Sequence, residues 1–371
     1  MNVPLLDLVA QYHSIKDDVV QAILRLAERQ QFILGDEVGQ LETALATLTE
    51  SRFAIGCASG TDALLLPLRT LDMQPGDEVI VPAFTFFATA GTVHNTGGRP
   101  VFADIDPVTF NLRPEAIEAA ITPRTRAIIV VHLFGQMAPM ERILAIAAKH
   151  NLPVIEDAAQ AIGARRQLGG SWRQAGSLGY TGTFSFFPSK NLGGWGDGGL
   201  MVTQDEALAG RLKRLRTHGG SKQYHHDEVG YNSRLDTLQA AILLAKLPHL
   251  AGWTAARQRI AARYTAAFAS HPAVRPPLVE PPNDHIFHQY TIRAERRDEL
   301  AAHLKARGIG SAIYYPLGLH LQPCFSYLGY RTGSLPETEA ACRTVLSLPV
   351  YPELTESQQD AVIAAIREFY G

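Results

Sequence analysis

A doubly wound α/β fold with a mostly parallel central sheet is what this sequence predicts, and three patterns predict it. Short apolar runs recur along the first 250 residues, each followed by a stretch with apolar residues at helical spacing. Several runs are continuously apolar, as in Ile128-Ile129-Val130-Val131, which marks a strand covered on both faces. The strict alternation of the two element types gives strand–crossover–strand units and so a parallel sheet.

Taken in order, Ser14-Ile15-Lys16-Asp17 resembles a capping box, and Val19, Val20, Ile23, Leu24 and Ala27 continue it as a helical face. A second helix follows Gly35, with Val38, Leu41, Leu45 and Leu48 on one side. Candidate strands are Phe53–Ala58, Glu78–Pro82, Pro100–Ile105, Ala127–Leu133, Pro153–Asp157, Gly182–Phe186 and Gly199–Thr203, with a helix over Met140–His150 among them. Near Pro248 the pattern changes. A long Ala/Arg-rich helix from Leu250 to Ala269 leads into Pro276-Pro277 and Pro281-Pro282, then a strand over His288–Ile292, a helix around Asp298–Arg307 and a terminal helix from about Glu356. We therefore expect a large domain over 1–249 and a smaller α+β domain over 250–371; the helix after Pro248 could equally belong to both.

Bulk composition narrows the function classes. With 371 residues, 46% hydrophobic and 19% charged, the chain has the make-up of an ordinary globular protein. Its net charge of −2 comes without a basic stripe, so nucleic-acid binding has no electrostatic footprint. Cys57, Cys324 and Cys342 are far apart, which disfavours a disulfide framework or a zinc site and suits a reducing compartment. No secretory signal and no membrane-length apolar run stands in the sequence, so the expectation is a cytoplasmic protein.

Two charged residues stand where buried strands end. Asp157 closes Val154-Ile155-Glu156-Asp157, and Lys190 follows Phe184-Ser185-Phe186-Phe187-Pro188-Ser189 and precedes the glycine-rich stretch 193–199. Pyridoxal 5′-phosphate (PLP) chemistry requires such a pair: a lysine that forms a Schiff base, and a carboxylate that keeps the ring nitrogen protonated. Each residue alone also has a plainer reading, Asp157 as a helix cap and Lys190 as a solvated side chain. Gln160 could meet the phenolic oxygen of the ring or be a surface amide. Ser59-Gly60-Thr61 opens a helix whose backbone N–H groups suit a phosphate, with Ser185 adding a hydroxyl. Phe86 is a candidate for stacking on the ring, or a core aromatic. The glycine-rich stretch lacks the endings of a phosphate loop or dinucleotide fingerprint, which disfavours a nicotinamide oxidoreductase. His218, His225 and His226 lack metal-pair spacing, so no metal is expected there and a mobile loop is.

In order and spacing, these segments, together with Gly35-Asp36-Glu37-Val38, Pro82-Ala83-Phe84-Thr85-Phe86 and Gly230-Tyr231-Asn232-Ser233-Arg234-Leu235-Asp236, resemble the DegT/DnrJ/EryC1/StrS family of PLP-dependent sugar aminotransferases over nearly the whole chain. The resemblance implies the aspartate-aminotransferase-like fold type I, with a seven-stranded mostly parallel sheet between helices, and a homodimer with shared active sites. Asn232 would reach the cofactor phosphate of the partner subunit, or be a plain loop asparagine, and Ser233–Asp236 reads as a capping box opening a helix. Arg234 would meet a substrate anion or form a salt bridge across the interface. Members that dehydrate sugars carry histidine at the Schiff-base position; Lys190 favours amino transfer. Val131–Gln136, Gln223–His226 and Asn232–Asp236 look most like enzymes acting on C3-keto sugars linked to a nucleotide, with glutamate as the donor. Tyr314-Tyr315-Pro316 departs from the histidine-tyrosine-proline of that subgroup. Tyr224, His225, Arg234, Tyr314, Tyr315 and His320 are candidates for holding the sugar nucleotide. Alternatives are a C4-keto sugar or keto-inositol substrate, or a regulatory protein that keeps fold and cofactor without turnover.

Overall fold

A computed structural model describes residues 2–371. Helix α1 (Leu8–Arg29) begins earlier than the Ser14 motif suggests, because the Asp7 side chain caps it by accepting from the Ala10 N–H at 2.9 Å. Ser14 lies inside the helix and its hydroxyl donates to the Gln11 carbonyl. The buried face is Ile15, Val19, Ala22 and Leu26, rotated from the predicted one, so Leu24 stays half exposed. Helix α2 (Asp36–Leu48) buries Val38, Leu41 and Leu45 as its spacing predicts.

All seven candidate strands form one sheet. They are β1 (Phe53–Cys57), β2 (Glu78–Pro82), β3 (Arg99–Ala103), β4 (Thr125–Val131) and β5 (Val154–Asp157), followed, after a hairpin of β6 (Arg165–Leu168) and β7 (Ser171–Gln174), by β8 (Thr181–Ser185) and β9 (Gly199–Thr203). The order is β1-β9-β8-β5-β4-β2-β3, and β9 alone runs against its neighbours. Period-two alternation divides the strand residues between two layers. Ile80, Ile128 and Val130 face the layer of α2, α6 (Met140–Lys149) and α8 (Thr237–Lys246). Val79, Val81, Ala127 and Ile129 face that of α3 (Gly60–Arg69) and α4 (Ala88–Asn95). Short α5 (Pro114–Ala120) adds Ile117 to the first layer, while α7 (Glu206–Leu215) covers β1 and β9. Each fully buried aliphatic side chain contributes about 1.5–3 kcal/mol, so a sheet covered twice supplies a rigid base for a site.

Two local expectations are corrected. Residues 218–226, expected as a mobile loop, contain the short hairpin β10 (Gly220–Lys222) and β11 (His225–His226). Ser233–Asp236 does not form a capping box. Residues 232–235 lie before the helix, the Ser233 hydroxyl donates to Asp62 at 2.8 Å, and α8 begins at Thr237.

Helix α9 (Leu250–Phe268) serves two cores. Leu250 packs with the sheet layer, whereas Ile260, Tyr264 and Phe268 join a second core around β12 (Val274–Arg275), β14 (Tyr290–Ala294) and β15 (Val345–Leu348), with β13 (Asn283–Asp284) pairing to β6. Helices α10 (Arg297–Ala306) and α12 (Glu356–Tyr370) close that core, and α11 (Pro336–Thr344) leads into β15. Val3 also packs there, with its N–H on the Gly308 carbonyl at 2.9 Å. Strand β14 starts two residues later than predicted. Residues 286–289 are drawn toward the sheet instead, Ile286 N–H to Gly135 O at 3.0 Å and Gln289 N–H to Phe134 O at 3.3 Å.

Candidate active site

The parallel strands β4 and β5 and their neighbour β8 end on one side of the sheet, where ligands of open α/β sheets bind. A cavity of about 460 Å³ opens there. Ser59, Gly60, Thr61, Phe86, Asp157, Gln160, Ser185, Lys190, Tyr314 and Tyr315 all line it. Ten of the residues expected from sequence thus meet at one place.

Asp157 is the last residue of β5 and is buried. No helix follows it, so it caps none; its Oδ1 accepts from the Ala159 N–H at 3.2 Å within a turn. Oδ2 accepts from the Thr89 hydroxyl at 2.9 Å. Burial raises the Asp157 pKa, opposed by those two hydrogen bonds and by the charges of Lys190 and His132. Lys190 follows the turn after β8, with its N–H on the Phe187 carbonyl at 2.8 Å. Among the described residues no hydrogen bond reaches its side-chain amine. Burial pushes that amine down to about 8, against the pull of Asp157. An amine titrating there is close to the range in which a lysine both gives and takes a proton near neutrality.

The floor of the cavity is the start of α3. Ser59 caps it, Oγ accepting from the Asp62 N–H at 3.1 Å, and Gly60 and Thr61 present the first turn. A Cβ on Gly60 would lie 2.6 Å from the Ser185 Cβ, so only glycine lets the helix start approach the end of β8 this closely. Unpaired N–H groups and hydroxyls gathered at a helix N-terminus suit a phosphate. Phe86 is 59% exposed, an aromatic face left open to the cavity rather than packed in the core. Gln160 is neither a free surface amide nor uncommitted: Oε1 accepts from the Phe134 N–H at 2.7 Å and Nε2 donates to the Tyr315 hydroxyl at 3.2 Å. Burial raises the Tyr314 and Tyr315 phenols.

The glycine-rich stretch after Lys190 is clamped. The Lys246 amine donates to the Gly193 carbonyl at 2.5 Å, and the Gln239 side chain accepts from the Trp195 N–H at 2.8 Å. A Cβ on Gly193 would come within 2.3 Å of the Pro188 carbonyl oxygen, which explains the residue type.

Five expected residues stand apart from this cavity. His320 is buried, its Nε2 3.3 Å from Glu339 Oε1 and its ring edge-on to Tyr330, so within one chain it belongs to a packed cluster around α11 and does not line the cavity. Tyr224 is 87% exposed, and His225 and Asn232 are exposed too. Arg234 is half-buried; neither it nor those three lines the cavity within one chain. Conversely, sequence reasoning missed Thr89 on Asp157, and His288, Gln289, Ser189 and Asp197 in the cavity wall. The spacing of Thr85 and Thr89, whose hydroxyls lie 3.2 Å apart, was a readable signal on a helix start; nothing near His288 was. Among the described residues no cluster of His, Cys, Asp or Glu could hold a metal, and no helix is long and apolar enough to cross a membrane.

Residues 13–367 match the DegT/DnrJ/EryC1/StrS aminotransferase family. The chain belongs to this family. The pleiotropic regulatory protein of Geobacillus stearothermophilus is 51% identical over all of this chain and 99% of its own length. The UDP-N-acetyl-3-dehydro-α-D-glucosamine 3-aminotransferase of Acidithiobacillus ferrooxidans is 47% identical over 98% of this chain and 97% of its own. Among solved structures, DesV of S. venezuelae in complex with a ketimine intermediate superposes with a TM-score of 0.96 at 44% identity, covering 99% of this chain and 98% of that one. Solved relatives carry the cofactor as PLP and as its pyridoxamine form. This member is accordingly a PLP-dependent aminotransferase of fold type I. The cavity fits the cofactor on its own evidence. A buried carboxylate with no cation in hydrogen-bond range, an unpartnered lysine amine, an open aromatic face and a hydroxyl-lined helix start match the four parts of the molecule.

Proposed function

We propose that this aminotransferase moves an amino group from glutamate onto a nucleotide-linked keto sugar, a 3-keto hexose or hexuronate carried by UDP or dTDP. The observation that carries the reading is the buried Asp157 facing the same cavity as the unpartnered amine of Lys190. The relatives' names support the substrate class, since one at 47% identity acts on a UDP-linked 3-keto sugar. When bound, the cofactor supplies an electron sink for the carbon that bears the amine. Lys190 holds the cofactor between turnovers, then takes the proton from the donor's amine-bearing carbon and returns one to the sugar carbon. Asp157 keeps the pyridine nitrogen protonated. Ser59, Gly60, Thr61 and Ser185 bind the phosphate, Phe86 covers one ring face, and Gln160 with Tyr315 bounds the phenolic side. Tyr314 stands on the sugar side.

Among the described residues no arginine lines the cavity. A dicarboxylate donor and a nucleoside diphosphate both need cations, which supports a homodimer whose second copy supplies Asn232 to the phosphate, and Arg234, Tyr224 and His225 to the substrate. Leu24, Phe32, Ile33 and Leu34, each at least 41% exposed on and just after α1, offer apolar surface for such an interface. Three unpaired cysteines suit a cytoplasmic setting. The name of the 51% identical relative favours a second reading, regulation without turnover; the intact Asp157 and Lys190 favour catalysis. Purified protein should show a visible cofactor band that borohydride fixes to Lys190, and Lys190→Ala should lose it. A variant that still traps the cofactor covalently would overturn the assignment.

A further inference from the structure

His288 and Gln289 line the cavity, and the placement of residues 286–289 is overdetermined. Besides the bonds of Ile286 and Gln289 to the segment after β4, Arg257 of α9 grips the chain, its Nη1 3.3 and 3.4 Å from the carbonyl oxygens of Phe287 and His288 and 2.6 Å from that of Val350. So held, the His288 ring lies in the cavity wall and is 6% exposed. Its Nδ1 is 2.9 Å from Oδ1 of Asn191, itself 6% exposed. An amide oxygen only accepts, so Nδ1 donates and Nε2 carries the lone pair. The Asn191 amide nitrogen has no partner although it is buried.

Asn191 is the residue after Lys190. Its side chain reaches His288, while Lys190 lines the cavity and the backbone turn is fixed behind it by Phe187 and ahead of it by Lys246. We propose that His288 is a positioning residue for amino transfer: through its hydrogen bond to Asn191 it fixes the turn from which Lys190 reaches the cofactor. The ring does this without adding charge. Burial, with the cations of Lys190 in the cavity and Arg257 behind the chain, holds His288 well below its ordinary range, and Asp157 answers Lys190 from the other strand end. A protonated imidazole here would set a second positive charge beside the lysine; a neutral one does not.

The inference rests on Lys190 being the cofactor-bearing lysine, and the test separates the two. In holoenzyme, His288→Phe removes the donor and His288→Asn keeps one at the same place. For His288→Phe we expect kcat to fall about tenfold with KM for both substrates within about twofold, the loss appropriate to one buried hydrogen bond. The absorbance titration of the lysine–cofactor chromophore should move upward as the freed nitrogen gains access to water, and His288→Asn should restore both readouts. Asn191→Ala removes the other end of the bond from a residue outside the cavity wall. It should reproduce both effects and, where His288→Phe does not fold, replaces it. Combined with His288→Phe it should add nothing to either single change. A folded, loaded His288→Phe with an unmoved titration and kcat, a His288→Asn no better than His288→Phe, or additive effects would overturn the inference. If the wild type shows no chromophore on Lys190, the functional reading fails and takes this one with it.

Discussion

Thr89→Val tests how Asp157 is kept ionised in a buried place. Thr89 is fully buried and its hydroxyl gives Asp157 Oδ2 a 2.9 Å bond. Valine has nearly the shape of threonine, so the change removes the bond and little packing. A hydrogen bond to a charged group contributes about 1.5–3 kcal/mol. At about 1.4 kcal/mol per pKa unit, its loss raises the carboxyl by about one to two units. Burial already pushes Asp157 upward, and the Thr89 bond is the first of the forces opposing it. The sign follows: the active form is the carboxylate, so a raised pKa moves the acid limb of the kcat profile to higher pH. We expect the acid limb of kcat to move up by about one to two units, so that below it kcat is about ten- to a hundredfold lower than wild type, with recovery in more alkaline buffer and KM for the sugar nucleotide little changed. Thr89→Ser, which keeps the oxygen, should stay near wild type. Steady-state kinetics across pH on both variants checks this. A Thr89→Val enzyme with kcat within about twofold and an unmoved acid limb would refute the reasoning.

Other consequences follow from single residues. Gly60→Ala would drive a Cβ to 2.6 Å from the Ser185 Cβ; it should cost about 1–3 kcal/mol of stability and weaken PLP binding at least about tenfold, measured by denaturation and by cofactor titration. Burial lowers His285 to about 3, so the unfolded chain binds one more proton than the folded chain between about 6.5 and 3; stability from this residue is fully present above 6.5 and is lost as pH falls, by about 1.4 kcal/mol per unit. His285 Nδ1 accepts from the Phe287 N–H, so His285→Asn, which keeps an acceptor but does not titrate, should flatten that slope in acid denaturation curves. Mixing Lys190→Ala with Asn232→Ala subunits should regenerate part of the activity; none in verified heterodimers counts against a shared site.

Much of this architecture was legible because the sheet is covered on both faces. Continuous apolar runs such as Val79–Val81 and Ile128–Val131 have no other stable placement, and all seven strands appeared where they were read, within two residues at either end. Helix starts were less legible. Asp7 caps α1 seven residues before Ser14, whose hydroxyl bonds within the helix to the Gln11 carbonyl, and Ser233 spends its hydroxyl on distant Asp62. The β6–β7 hairpin escaped notice because Arg165 to Gln174 lacks apolar alternation; Gly169-Gly170, both at positive φ, was its signal. In the site, residues carried by strand ends and helix starts could be read, since a charge at the end of an apolar run has few structural uses. His320 could not, as a histidine in a loop looks the same whether it faces a ligand or Glu339. His288 was invisible too, because its partner is 97 residues away.

The most direct test of the account is transfer of labelled nitrogen. Holoenzyme incubated with glutamate carrying heavy nitrogen and a panel of UDP- and dTDP-linked 3-keto and 4-keto sugars should yield, by mass spectrometry, one amino sugar nucleotide bearing the label, with a 3-keto sugar as the acceptor. Lys190→Ala should yield none. Labelled product from the Lys190→Ala enzyme, or no labelled product from any keto-sugar nucleotide while PLP is bound, would contradict it.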